Sequence, residues 1–181
     1  MLKTKAVIDT SLNENLILDE VVIDDPKPYE LVIKLYASGI CGSQLINLHH
    51  PKIQRPQLLG HEATGVIIQA GRKIDTFKEG DDVLISWIPV HANEETDYLK
   101  WANVNWNGKK LNSILFTWAE HTVLDQQFVS PLPKDIERHS ASIIGCAIAT
   151  GSGSVNNIGN VSPGNSVAVF GAGGLGLASI N

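Results

Sequence analysis

Two cysteines and one histidine in this chain are of the types, and stand in the contexts, that hold a catalytic metal ion. Cys41 lies in Gly39-Ile40-Cys41-Gly42-Ser43, Cys146 in Ile143-Ile144-Gly145-Cys146-Ala147, and His61 between them in Gly60-His61-Glu62. Two thiolates and one imidazole form a zinc ligand set that leaves a fourth position open for water or substrate. A cysteine taken alone reads as a small buried hydrophobe, so the weight rests on the contexts. Cys41 follows the apolar run Leu31-Val32-Ile33 and is expected at the exit of a strand, where its side chain faces a cleft. Cys146 is expected near the start of a buried helix.

The elements that must bring these residues together are mostly strands. Residues 5–8, 16–18, 21–23, 31–36, 64–70, 82–86 and 117–123 are β-branched or aromatic runs separated by turn formers such as Asp24-Asp25-Pro26 and Glu79-Gly80-Asp81. That spacing predicts an all-β barrel or sandwich. The pattern changes after Pro131-Leu132-Pro133. Residues 140–159, rich in Ala, Ile, Ser and Gly, read as helical, and Ser166-Val167-Ala168-Val169-Phe170 reads as a new strand. It runs into Gly171-Ala172-Gly173-Gly174-Leu175-Gly176, a match to the G-x-G-x-x-G turn in which glycines allow the bend, the approach to a pyrophosphate and close helix packing. The acidic residue expected about 20 positions further on, on the cofactor ribose, would fall past Asn181, the last residue of the sequence.

Composition narrows the class. The 181 residues carry a net charge of −5, which offers no basic footprint for nucleic acid. Two cysteines without an export signal ahead of them suggest reduced thiols in the cytoplasm. No apolar stretch approaches the roughly 20 residues that span a bilayer. The expectation is a soluble cytoplasmic protein with no nucleic-acid or membrane partner, a homo-oligomer being left open.

The motifs together resemble the zinc-dependent medium-chain alcohol dehydrogenases. The likeness rests on Gly39-Ile40-Cys41-Gly42-Ser43, on Gly60-His61-Glu62-Ala63-Thr64-Gly65 continuing through Gly71 and Ile74, on Gly80-Asp81-Asp82-Val83, on Cys146 with Thr150-Gly151, and on the glycine turn. It implies a mainly β fold with some helix: a GroES-like β-barrel catalytic domain over residues 1–150, then a linking helix and the first strand and glycine turn of a truncated Rossmann domain over 151–181. It further implies one catalytic zinc on Cys41, His61 and Cys146. Glu62 is the carboxylate near the metal and Ser43 the hydroxyl that takes the substrate's proton. Trp87 and Trp118 are walls of the substrate pocket, and Gly171, Gly173, Gly174 and Gly176 bind NAD or NADP. The implied reaction interconverts an alcohol and an aldehyde or ketone, and the 181 residues on their own are expected to be inactive.

Three departures from the family pattern stand out. Gln44 replaces an aspartate that supports the ligand histidine, Ile46 stands where many members have a relay histidine, and no cysteine cluster for a second zinc occurs in residues 88–115. His91, His121 and His139 read as ordinary surface or strand residues. A zinc-free quinone or enoyl reductase of the same superfamily is the alternative, disfavoured by the ligand triad. A non-catalytic zinc-binding domain is the other.

Overall fold

The strand that contains Leu31, Val32 and Ile33 is buried on both of its faces, and the architecture is built around it. The structure is a computed structural model that describes residues 1–90, 102–111 and 113–181. Its strands are β1 (Leu2–Asp9), β2 (Ile17–Ile23), β3 (Glu30–Ser38), β4 (Gln57–Leu58), β5 (Ala63–Ala70), β6 (Asp82–Ile85), β7 (Val104–Trp106), β8 (Lys109–Leu111), β9 (His121–Asp125) and β10 (Val129–Pro131). Its α-helices are α1 (Gly42–Leu48), α2 (Ala149–Gly153) and α3 (Gly174–Ile180). The strands form two five-stranded antiparallel sheets in the orders β4-β1-β2-β7-β8 and β10-β6-β5-β3-β9.

Because β3 lies between β5 and β9, its successive side chains enter two different cores. Val32 packs with Ala6, Ile8, Val21, Ile23 and Phe116, whereas Leu31 and Ile33 pack with Ile67, Val83, Ile85 and Val129. The first half of the strand has no solvent face, hence the apolar run Leu31-Val32-Ile33 ahead of exposed Lys34. Residues 117–120 join the two sheets. Val7 N–H donates to the Trp118 carbonyl (2.8 Å), Glu120 N–H to that of Lys5 (3.0 Å) and Leu35 N–H to that of Glu120 (2.9 Å). The mainly β, barrel-like fold with some helix is thereby closed.

Several elements differ from the sequence reading. Residues 16–18 and 21–23 belong to one strand, β2. The strand expected over 117–123 is displaced to β9, because the Thr117 and Trp118 N–H groups both donate to the Leu59 carbonyl instead of a ladder. The helical run expected over 140–159 forms as a 3₁₀ turn (Ser140–Ile143), a π turn (Ile144–Ile148), α2 and a second π turn (Ser154–Ile158). Residues 166–170, expected as a strand, form none: among the described residues no strand pairs with them, and Phe170 is 98% exposed. Beyond it, α3 packs on α2, where Ser179 Oγ donates to the Gly151 carbonyl at 3.2 Å. No helix among the described residues is long and apolar enough to cross a membrane. His91, read as an ordinary residue, and with it part of the 88–115 segment, lies outside the described residues.

Helix α1 has no buried residue of its own, and its position is fixed from outside. Arg55 is nearly buried and donates to the carbonyls of Asn47 (3.0 Å) and Leu48 (2.9 Å) at the helix end, where the macrodipole favours a cation. Its Nε pairs with buried Asp9 Oδ2 at 2.8 Å, and Gln57 Nε2 donates to the same oxygen. Removing one partner of a buried pair leaves the other charge uncompensated, which costs about 3–5 kcal/mol. Arg55→Ala is therefore expected to lower unfolding free energy by about 3 kcal/mol in urea denaturation. A loss under about 1 kcal/mol would show that the pair is not what fixes α1.

Candidate metal centre

Cys41 is the N-cap of α1, three residues past the end of β3, with extended backbone angles (φ −89°, ψ 142°). His61 lies in the link between β4 and β5, and Cys146 in the π turn before α2. Two glycines make the convergence possible. Gly60 has φ +98°, a conformation that disfavours any side chain, and a Cβ there would lie 2.4 Å from Thr117 Oγ1. A Cβ on Gly145 would lie 2.1 Å from the Ile85 carbonyl oxygen, so the turn carrying Cys146 rests directly on the end of β6. Ser86 Oγ donates to the Gly145 carbonyl at 2.7 Å and holds it there.

The three ligand atoms lie within 4.8 Å of one another. The two sulfurs are 3.9 Å apart and His61 Nε2 is 3.3 Å from Cys146 Sγ. A tetrahedral ion with bonds of about 2.3 Å holds its ligand atoms about 3.8 Å apart, so these residues fit a metal almost as they stand. Electrostatics agree. Burial pushes the Cys146 thiol up to about 12, with the negative charges of Cys41 and Glu62 adding to the shift. Burial also lowers the His61 pKa, keeping the imidazole neutral at neutral pH as a metal ligand must be. A divalent cation placed among them supplies the missing positive charge and takes the place of the thiol proton.

The remaining predicted residues divide. Ser43 Oγ donates to Cys41 Sγ at 3.3 Å and lines a cavity of about 760 Å³ together with Cys41, His61, Trp87 and Cys146. Trp87 is half exposed, its ring 6.4 Å from that of His61. Trp118 does not line this cavity; its indole N–H donates to the Gly39 carbonyl at 3.0 Å, which ties it to the segment leading into Cys41. Glu62 is buried and turns to the backbone, accepting from Ala147 N–H at 3.2 Å, and its carboxyl pKa is raised by burial. In the glycine turn, Gly171 has φ +97°, Gly173 caps α3, Gly174 begins it, and a Cβ on Gly176 would lie 1.9 Å from the Gly171 carbonyl oxygen. Sequence reasoning missed Leu58, Ile114, Leu115 and Phe128, which give the cavity its apolar wall. It also missed Arg55, which stands seven residues past the end of α1 and so carries no local signal. His121 Nδ1 meets Thr4 Oγ1 at 3.0 Å, and His139 Nδ1 pairs with Glu137 at 2.8 Å, both away from this site.

Fold and site together define a barrel-type domain with a candidate metal centre, and the comparisons place it in a family. Residues 27–134 match the alcohol dehydrogenase GroES-like domain, and the chain belongs to the zinc-type medium-chain alcohol dehydrogenase family. Alcohol dehydrogenase 6 of Peromyscus maniculatus is 31% identical over 205 residues, spanning 99% of this chain and 54% of that protein. The alcohol dehydrogenase zinc-binding domain protein of Burkholderia ambifaria superposes with a TM-score of 0.88 at 22% identity, over 99% of this chain and 55% of that one. CAD from Helicobacter pylori, in complex with NADP(H), gives 0.80 at 20% identity, with coverages of 99% and 55%. At these identities the structural likeness is one of fold. The chain spans about half the length of the relatives it matches.

The raised Cys146 thiol sets the sign of a pH effect. Its proton is held tightly, so acid competes with metal for the sulfur. Zn²⁺ affinity, measured against a competing chelator, is expected to rise between about pH 6 and 8 by roughly tenfold per unit for each thiol proton displaced. An affinity flat across that range would exclude the thiols as ligands.

Proposed function

We propose that this chain is the catalytic part of a zinc-dependent, NAD(P)-dependent alcohol dehydrogenase that interconverts a small alcohol and an aldehyde or ketone. The observation that carries the reading is the convergence of Cys41, His61 and Cys146 on the wall of one cavity, beside the Ser43 hydroxyl. Zinc held by these three residues supplies a Lewis acid that acidifies a hydroxyl or polarises a carbonyl, and NAD or NADP supplies the hydride acceptor. The two thiolates and the neutral imidazole orient the site toward the cavity, and Trp87 covers one edge of His61. Ser43 Oγ, beside Cys41 Sγ and exposed to solvent, is the hydroxyl that accepts the substrate proton while passing its own outward to water. Glu62 fixes the turn bearing Cys146 through Ala147 N–H. The apolar wall of Leu58, Ile114, Leu115 and Phe128 favours a substrate with an apolar substituent.

The glycine turn is the part of the chain suited to the nucleotide. Gly171 makes the bend, Gly176 lets α3 approach the turn, and Gly173 leaves its backbone open for a pyrophosphate. A cytoplasmic location accords with two unpaired cysteines. A zinc-free reductase would have no use for two cysteines and a histidine so placed. A purely structural zinc site would close its fourth position, whereas this one borders a cavity.

Metal analysis of unstripped protein is expected to give about one zinc per chain, and Cys41→Ala or His61→Ala to remove it. In the enzyme carrying this chain, Ser43→Ala is expected to keep the zinc and lose about 10²–10⁴-fold in turnover. Unchanged turnover where chemistry limits the rate would remove Ser43 from the mechanism.

A further inference from the structure

His61 shares its neighbour with a backbone amide, and that neighbour cannot serve both in the metal-bound form. Gly60 N–H donates to Gln44 Oε1 at 2.8 Å, and Gln44 Nε2 lies 3.0 Å from His61 Nδ1. A backbone N–H can only donate. This one cannot turn away, because Gly60 is pressed against Thr117 and Trp118 and the preceding carbonyl, of Leu59, is bonded to both. The carboxamide oxygen must therefore face Gly60, and its NH₂ must face His61. An NH₂ group can only donate, so Nδ1 presents its lone pair and the ring proton resides on Nε2, directed at Cys146 Sγ 3.3 Å away. A metal ligand needs the reverse: a lone pair on Nε2 and the proton on Nδ1, given to an acceptor.

Resting on the metal-site reading above, we propose that Gln44 is a positioning residue that holds His61 in the tautomer opposed to metal binding and so weakens the centre. On metal binding, Nδ1–H meets the Gln44 NH₂, donor against donor. Flipping the amide satisfies Nδ1–H but turns the NH₂ onto Gly60 N–H. One donor of this half-buried pair loses its partner either way, and no rotamer of a carboxamide supplies two acceptors. A carboxylate of the same length does, one oxygen to Gly60 N–H and the other to His61 Nδ1–H. Position 44 thus acts as a setting for metal affinity, through the tautomer of His61 rather than its charge.

The test uses the whole 181-residue chain, Zn²⁺ as the probe, and two variants. The nitrogen-15 spectrum of the metal-free wild type is expected to show His61 protonated on Nε2, and that of Gln44→Glu on Nδ1. In competition against a chelator, Gln44→Glu is expected to bind Zn²⁺ about 10–100-fold more tightly. Gln44→Met adds no charge and removes the opposing donor, so it too is expected to bind more tightly than wild type, by a smaller factor. An ordinary supporting glutamine gives the opposite sign, since its loss weakens the metal. The inference is overturned if Gln44→Met binds Zn²⁺ more weakly, if wild-type His61 carries its proton on Nδ1, or if Gln44→Glu binds more tightly with no change of tautomer, a pure charge effect. Should Gln44→Met not fold, the isosteric Gln44→Glu and the two spectra decide. Equal Zn²⁺ affinity in all three proteins would overturn the role of Gln44 and leave the metal centre standing, whereas no Zn²⁺ binding by any of them would remove the centre and this inference together.

Discussion

The site depends on one backbone junction, where the Leu59 carbonyl accepts the N–H groups of both Thr117 (2.9 Å) and Trp118 (3.0 Å). From it, bonds reach two of the three ligand segments. Thr117 Oγ1 meets Ser38 Oγ at 2.8 Å, Ser38 Oγ donates to the Glu62 carbonyl at 3.0 Å, and the Trp118 indole N–H holds the Gly39 carbonyl. The Cys41 and His61 segments are therefore positioned by the same two residues that join the sheets. The third ligand arrives separately, through the contact of Gly145 with Ile85. A centre assembled this way is tied by hydrogen bonds to the barrel, as chemistry that tolerates little displacement requires.

Charge and burial then decide what such an assembly is good for. Two sulfurs 3.9 Å apart at the wall of an apolar cavity repel one another once ionised, and the buried Glu62 adds to the repulsion. A divalent cation held by Cys41, His61 and Cys146 would remove that conflict. Gln44 works in the opposite direction, because its amide satisfies the metal-free arrangement completely. The balance between the two sets how firmly the metal is held.

Much of this was legible in the sequence, for physical reasons. A chain with two cysteines leaves few choices of sulfur ligand, and each ligand stands beside a glycine or within one residue of one, as close backbone approach requires. The alternation of apolar runs and turns gave the barrel. Trp118 was misplaced because its neighbours look like a strand, and only the tertiary bonds to Leu59 take that segment out of the ladder. Residues 166–170 have strand composition, but a strand exists only with a partner beside it. Helix α1 has no apolar stripe and is held by Arg55 and Asp9, a pair no periodicity reveals. The identity of Gln44 was plain from the start; its conflict with His61 emerges only when the Gly60 N–H fixes which way the amide faces.

If Cys41, His61 and Cys146 bind one ion together, the metal's first shell must contain both sulfurs. X-ray absorption at the zinc edge of the metal-loaded chain tests it most directly. Two sulfur scatterers are expected at about 2.3 Å and the remaining ligands, nitrogen or oxygen, at about 2.0–2.1 Å, with an imidazole signature in the outer shell. A first shell of nitrogen and oxygen alone would contradict it.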